Sequence, residues 1–227
     1  MGLFDYFAPQ GANVPPAVPS HPYYPPGVPM SNYQANVTPL PVVLASFGGL
    51  IGVTVVSALL GARKMNNSLG ATDQLLFCWF ILCFFVLNHE SLAGSQHLLA
   101  QAWKEYALSD SRYLTSDPFT VCVETITALV WGPCCLATAA CIVRGRKSAG
   151  GLRQVLQIVT SLAHLYGVAL YYSTCHFEYV RKGLSYSRPE PLYYWVYYVG
   201  FNAPWVVVPA GQFVHFSHFS NPSASSF

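Results

Sequence analysis

Residues 103–133 read WKEYALSDSRYLTSDPFTVCVETITALVWGP, and this stretch decides what kind of fold the chain can have. Its first half gathers Lys104, Glu105, Asp110, Arg112 and Asp117 in a chain that otherwise carries little charge. Its second half is an apolar run holding one carboxylate, Glu124, with uncharged residues on both sides. An ionisable group inside an apolar helix is expensive, and where one occurs the default reading is a functional site. Composition names the solvent: 53% of the residues are hydrophobic and only 9% are charged, where a soluble domain carries about 25%. So thin a polar coat cannot cover a water-facing surface, and lipid is the expected surroundings. The basic residues are few and scattered, which excludes a nucleic-acid-binding face. The seven cysteines, Cys78, Cys83, Cys122, Cys134, Cys135, Cys141 and Cys175, lie in apolar runs without zinc-like spacing. They read as small packing residues, and no metal or cofactor is expected.

Outward from that stretch, residues 1–40 hold most of the prolines and no Lys or Arg. The run 15–29 is too proline-dense for helix or sheet, and no basic segment leads into an apolar core as in a cleaved signal peptide. A flexible or surface-lying arm is expected. Apolar segments follow at 41–62, 74–88, 119–143, 152–175 and 192–214. Crossing a hydrocarbon core of ~30 Å takes about 20 helical residues; four segments suffice, and the second reaches that length by extending through Glu90. The predicted fold is all-α: a polytopic membrane protein whose five transmembrane helices, within 41–216, enclose an intramembrane cavity. A loop cap lies around 91–118, and 217–227 is a disordered tail. Arg63, Lys64, Arg144, Arg146, Lys147 and Arg153 then share a side with the C-terminus, which predicts a cytoplasmic C-terminus and a luminal arm.

Three of the segments carry polar stripes. At 100° per residue, Thr120, Glu124, Thr127 and Trp131 share a face, as do Gln157, Ser161, His164 and Tyr171, and again Tyr198, Asn202 and Trp205. Such stripes turn towards one another or a cavity, away from lipid. For Thr120, Gln157 and Ser161 plain interhelical hydrogen bonding is the competing role, and for Trp131 and Trp205 it is packing. Many aromatics with few charges fit a pocket for a large apolar molecule. A carboxyl in low dielectric resists ionising and can serve as a proton donor. Protonating an alkene generates a carbocation, which an indole face can shelter until a proton leaves a neighbouring carbon. Glu124, Trp205 and a second ionisable group are the parts required. His89 and Glu90, at the end of the second segment, are the nearest candidates for that group, although adjacent residues point about 100° apart on a helix.

At these residues the chain resembles the emopamil-binding protein family, the sterol delta-8 to delta-7 isomerases of the EXPERA group. The resemblance rests on WKEYALSDSRY, FTVCVETITALVWGP and FNAPW followed by VVVPAG, with echoes in HPYYPP, CWF, LYG and LYY. It implies five transmembrane helices in the endoplasmic reticulum membrane, a substrate cavity open to lipid, and dimerisation. It also implies roles: Glu124 matches the family's intramembrane carboxylate, Thr127 its helical neighbour, Asn202 the asparagine of the last helix, and Trp205 the cation-stabilising tryptophan. Tyr106, Asp110, Arg112 and Tyr113 match a loop set associated with activity, an ion network holding the cap being their other role. Thr120, Trp131, His164 and Tyr198 complete the expected lining. The family's second-helix histidine and glutamate, four residues apart, have no counterpart in FFVLNHESLAG; Glu90 takes the glutamate's place and Val86 the histidine's. Val168 stands where the isomerases carry an aspartate. The expected activity is double-bond isomerisation or acid-assisted cyclisation of a sterol, or of a polycyclic or prenyl-derived specialised metabolite. The alternative is a non-catalytic sterol- or drug-binding membrane protein.

Overall fold

The computed structural model of the chain describes residues 21–84 and 93–220, with side chains at 84, 146–148 and 214–220 excepted. Every regular element among them is helical. In chain order these are α1 (Leu40–Met65), α2 (Ala71–Phe84), α3 (Leu98–Tyr106), a 3-10 turn (Ser111–Tyr113), and α4 (Pro118–Ile126). A π-helical turn (Thr127–Trp131) joins α4 to α5 (Gly132–Arg144); α6 (Arg146–Lys182), a π-helical segment (Leu192–Gly200) and α7 (Pro204–Ser220) follow.

Among the described residues, three helices are long and apolar enough to cross a membrane: α1, the continuous α4–α5 unit Pro118–Arg144, and Ala149–Lys182 within α6. Their outer faces leave large apolar side chains uncovered, among them Val53 at 68% exposure and Leu129 at 72%. Water would penalise such faces and hydrocarbon does not. The expected fifth span appears in pieces, and of the second the described chain holds α2. α2 has fourteen residues within the described chain, and the segment from Leu192 is a π-helical piece followed by α7. Proline explains both wide turns. Pro133 and Pro204 have no N–H to return to the carbonyl four residues back, and each follows a π-helical stretch. Gly132 N–H bonds the Thr127 carbonyl five residues back, and Phe201 N–H that of Val196.

α5 lies between α2 and α6; α6 also packs on α7, and α1 on α2 and α3. The core at the α2–α5 contact holds Phe77, Trp79, Phe80, Ile81, Cys83, Cys135, Ala139 and Ile142. At one end of the bundle Arg153 pairs with Asp73 at 2.6 Å, and Asn66 Nδ2 donates to the Val143 carbonyl at 2.9 Å. Gly145 turns the chain from α5 to α6 at φ +80°, a region that favours glycine.

The cap, α3 and the 3-10 turn, sits at the other end. Residues of the proline-rich arm lie across it: Tyr23 is buried and donates to the Lys104 carbonyl at 2.9 Å. Lys104 Nζ donates to the Gln34 carbonyl at 2.8 Å, and Gln101 accepts from the backbone of Val37 and Thr38. A Cβ on Gly94 would meet the Asn32 carbonyl oxygen at 2.7 Å, so arm and cap touch backbone to backbone there.

Candidate active site

The site is built from the cap inward. Trp103 and Tyr106, three residues apart, share the inner face of α3, their rings edge to face at 5.8 Å. Asp110 caps the 3-10 turn by accepting from Arg112 N–H at 3.0 Å and grips the guanidinium at 2.7 Å. Arg112 also reaches Thr174 Oγ1 at 2.9 Å and Cys175 Sγ at 2.8 Å, and lies over the rings of Tyr171 and Tyr186. Asp110 and Arg112 are buried. Asp110 holds the guanidinium charged against the desolvation that burial imposes. This pair is a clamp between cap and α6, and it fixes the residue that follows it.

That residue is Tyr113, whose phenol lies close to the Glu124 carboxyl. Its ring lies 5.5 Å from Tyr106, 5.9 Å from Trp103 and 6.5 Å from Tyr171. Tyr106 in turn accepts from Asn202 Nδ2 at 3.1 Å, and the same amide donates to the Tyr198 carbonyl at 2.8 Å. Burial pushes the Tyr106 and Tyr113 phenols above their ordinary range, so both remain protonated donors at neutral pH. Four elements thus bring Tyr106, Asp110, Arg112, Tyr113, Glu124, Tyr198 and Asn202 near one another.

Other predicted residues stand elsewhere. Trp205 pairs with Trp79 at 5.6 Å between ring centres, and His164 meets the same Trp79 edge to face at 6.1 Å. Together they form a second aromatic group against the α2–α5 core. Thr120 is spent on the α4 N-cap, its N–H and hydroxyl both on Asp117 Oδ1 at 2.9 Å. The Thr127 hydroxyl returns to the Val123 carbonyl at 2.8 Å. Trp131 ends the π-helical turn, half-buried, and the wide turn displaces it from the 3.6-residue register that had placed it over Glu124. His89 and Glu90 lie outside the described residues.

The structure adds groups that sequence did not single out for this site. Trp103, which opens the WKEYALSDSRY motif, is part of the wall. Glu105 accepts from Tyr197 at 3.2 Å. Beyond Tyr198 a half-open cleft of about 530 Å³ is lined by Tyr172, Cys175, Tyr179, Tyr186, Tyr194 and Tyr198 among others, a size typical of ligand clefts. Only clustering of tyrosines after Leu170 hinted at it. Cys83 and Cys135, read as packing residues, come together with His164.

Fold and site together define a polytopic helical membrane protein with an acid, phenols and indoles inside its bundle, closed at one end by a clamped cap. The chain belongs to the emopamil-binding protein family: residues 98–216 match EBP: EXPERA (EXPanded EBP superfamily). It is 37% identical over 207 residues to the 3-beta-hydroxysteroid-Delta(8),Delta(7)-isomerase of Mus musculus, covering 85% of each chain. It is 30% identical over 148 residues to isomeliandiol synthase MOI2 of Melia azedarach, covering 61% of this chain and 65% of that one. With protoglabretal synthase MOI1 of Citrus sinensis it shares 29% over 155 residues, or 64% and 69% of the two chains. The chain is an enzyme, of the isomerase and cyclase kind that these relatives represent.

Proposed function

We propose that this enzyme moves a double bond, or closes a ring through the same kind of cation, in a polycyclic or prenyl-derived lipid such as a sterol or triterpenoid. The observation that carries the reading is Glu124: a lone carboxyl in a membrane-crossing helix, near the Tyr113 phenol beneath an aromatic wall. Protonated Glu124 gives its proton to an alkene carbon, leaving a carboxylate and a carbocation on the substrate. The electron-rich faces of Trp205, Tyr106 and Tyr113 are the groups available to shelter that cation. Loss of a proton from the adjacent carbon to a second ionisable group restores the alkene one bond away. His89, Glu90 and His164 are the candidates for that group. No oxidant or cofactor is consumed, because one proton enters and one leaves.

Asn202 and Tyr106 orient the phenols, Thr127 supports the carboxylate-bearing turn, and Tyr198 completes the lining. The hydroxyl-rich cleft beside Tyr198 suits the polar end of a lipid alcohol. In this reading α2 and the Leu192–Ser220 unit also cross, giving five spans around the chamber. The arm and cap face the lumen of the endoplasmic reticulum, the C-terminus faces the cytoplasm, and the chain pairs as a homodimer. The test is a comparison of lipid extracts by mass spectrometry from sterol-isomerase-deficient cells with and without the protein, with Glu124→Gln as control. A rearranged lipid of unchanged mass that depends on Glu124 is expected. Identical extracts would refute the reading.

A further inference from the structure

Away from the Glu124 network, three helices deliver a different set of side chains to one point. Cys83 comes from the end of α2, Cys135 from the first turn of α5, and His164 from the middle of α6. Their Sγ, Sγ and ring nitrogen atoms all lie within 4.8 Å of one another, and all three residues are buried. His164 is 9% exposed, and its Nδ1 is buried with no hydrogen-bond partner. Ser161, three residues earlier on the same face of α6, is buried with its hydroxyl likewise unpartnered. A buried polar nitrogen without a partner costs about 1–3 kcal/mol, a cost that a ligand at this point would remove.

We propose that Cys83, Cys135 and His164 bind one divalent ion of the zinc type. Two thiolates and one neutral imidazole are donors that zinc prefers. Tetrahedral bonds of about 2.3 Å to sulfur and 2.0 Å to nitrogen hold such donors roughly 3.5–4 Å apart, so closing the set takes a shift of about 1 Å. Charge selects the ion. Two thiolates with a divalent cation are neutral, the state that a membrane interior tolerates, whereas monovalent copper on two thiolates leaves a net negative charge to bury. Binding displaces the two thiol protons to solvent and leaves the imidazole neutral. The ion ties α2, α5 and α6 together behind the Trp79–Trp205 pair, since His164 rests on Trp79 and Trp79 on Trp205. It positions the indoles, and with His164 bound to the ion the second ionisable group of the proposed reaction is left to His89 or Glu90. The site stands whether or not the proposed reaction is right.

Cobalt(II) is the probe. Full-length, reduced protein in nanodiscs is expected to bind about one equivalent, with thiolate-to-cobalt charge-transfer bands and tetrahedral ligand-field bands that zinc bleaches. Because two protons leave, affinity should fall about 100-fold per pH unit on acidification. Cys83→Ser and Cys135→Ser should abolish the charge-transfer bands, while Cys141→Ser, a buried cysteine outside the set, should keep them. Against misfolding of those variants, wild-type protein can be alkylated with and without zinc. Protection of Cys83 and Cys135 but not Cys78 and Cys134, read by peptide mass spectrometry, supports the site. Absence of cobalt bands, bands that persist in a Cys83→Ser/Cys135→Ser variant, equal alkylation with and without zinc, or a Cys83–Cys135 disulfide in thiol-blocked native protein would each overturn it.

Discussion

At the residue scale the chemistry is concentrated in four side chains with different duties. Glu124 carries the transferable proton in the proposed reaction, Tyr113 lies near it, and the Asp110–Arg112 clamp decides where Tyr113 sits. Glu124→Gln keeps shape and contact while removing the acid. Turnover is expected to fall by roughly 10²–10⁴ with an unchanged melting profile, and full activity would remove Glu124 from the mechanism. Asp110→Asn acts on stability instead. It leaves a buried guanidinium without its full counter-charge, at about 3–5 kcal/mol, and the melting temperature in detergent should drop on the order of 10 °C. Glu105 gives the cap a pH response. Burial raises its carboxyl above the ordinary value, against the pull of Tyr197 and Arg188. A raised native value means the folded cap holds the proton more tightly than the unfolded chain does. Its contribution is therefore complete in acid below the unfolded value and is lost as pH rises through the native one. Hydrogen exchange of α3 should accelerate over that window, and Glu105→Gln should flatten the dependence while keeping the Tyr197 bond.

At the scale of elements, the two π-helical stretches are what ordinary periodicity misjudges. A wide turn between Glu124 and α5 rotates the acid-bearing α4 relative to a helix that would otherwise continue in register. Pro133→Ala restores the missing N–H and lets the turn relax to α-helix, swinging α4 by about one residue's rotation, roughly 100°. The protein should melt no lower than wild type and yet lose at least tenfold in turnover. A straightened helix with full activity would mean that the wide turn does not set the site.

At the scale of the molecule, two aromatic groups divide the interior. One, around Tyr106 and Tyr113, belongs to the cap and the Glu124 face; the other, Trp79, Trp205 and His164, belongs to the α2–α5–α6 core. If a cation forms between them, Trp205→Leu should lower kcat by about 30-fold, the worth of a desolvated cation–π contact near 2 kcal/mol, with little change in KM. Equal losses in binding and rate would reduce Trp205 to packing.

The amino-acid sequence alone settled the solvent and the helical class, and it pointed to Glu124 as the candidate acid. Sparse charge cannot cover a wet surface, apolar runs of membrane length must satisfy their own backbone as helices, and a solitary carboxylate in such a run is visible without coordinates. Asn202, Tyr106, Tyr113 and the Asp110–Arg112 pair were also legible, through motif resemblance. Tertiary structure alone decided that Tyr113 comes near Glu124, that Thr120 caps a helix, that Trp131 leaves the predicted face, and that Trp205 and His164 gather on Trp79. The reason is geometric. A helical stripe fixes directions within one element, but which stripes meet depends on crossing and rotation, and here prolines 133 and 204 alter the rotation where no local periodicity records it. The meeting of Cys83, Cys135 and His164 is the same case: their positions lie far apart along the chain, and only the packing of α2, α5 and α6 puts them within one ion's reach.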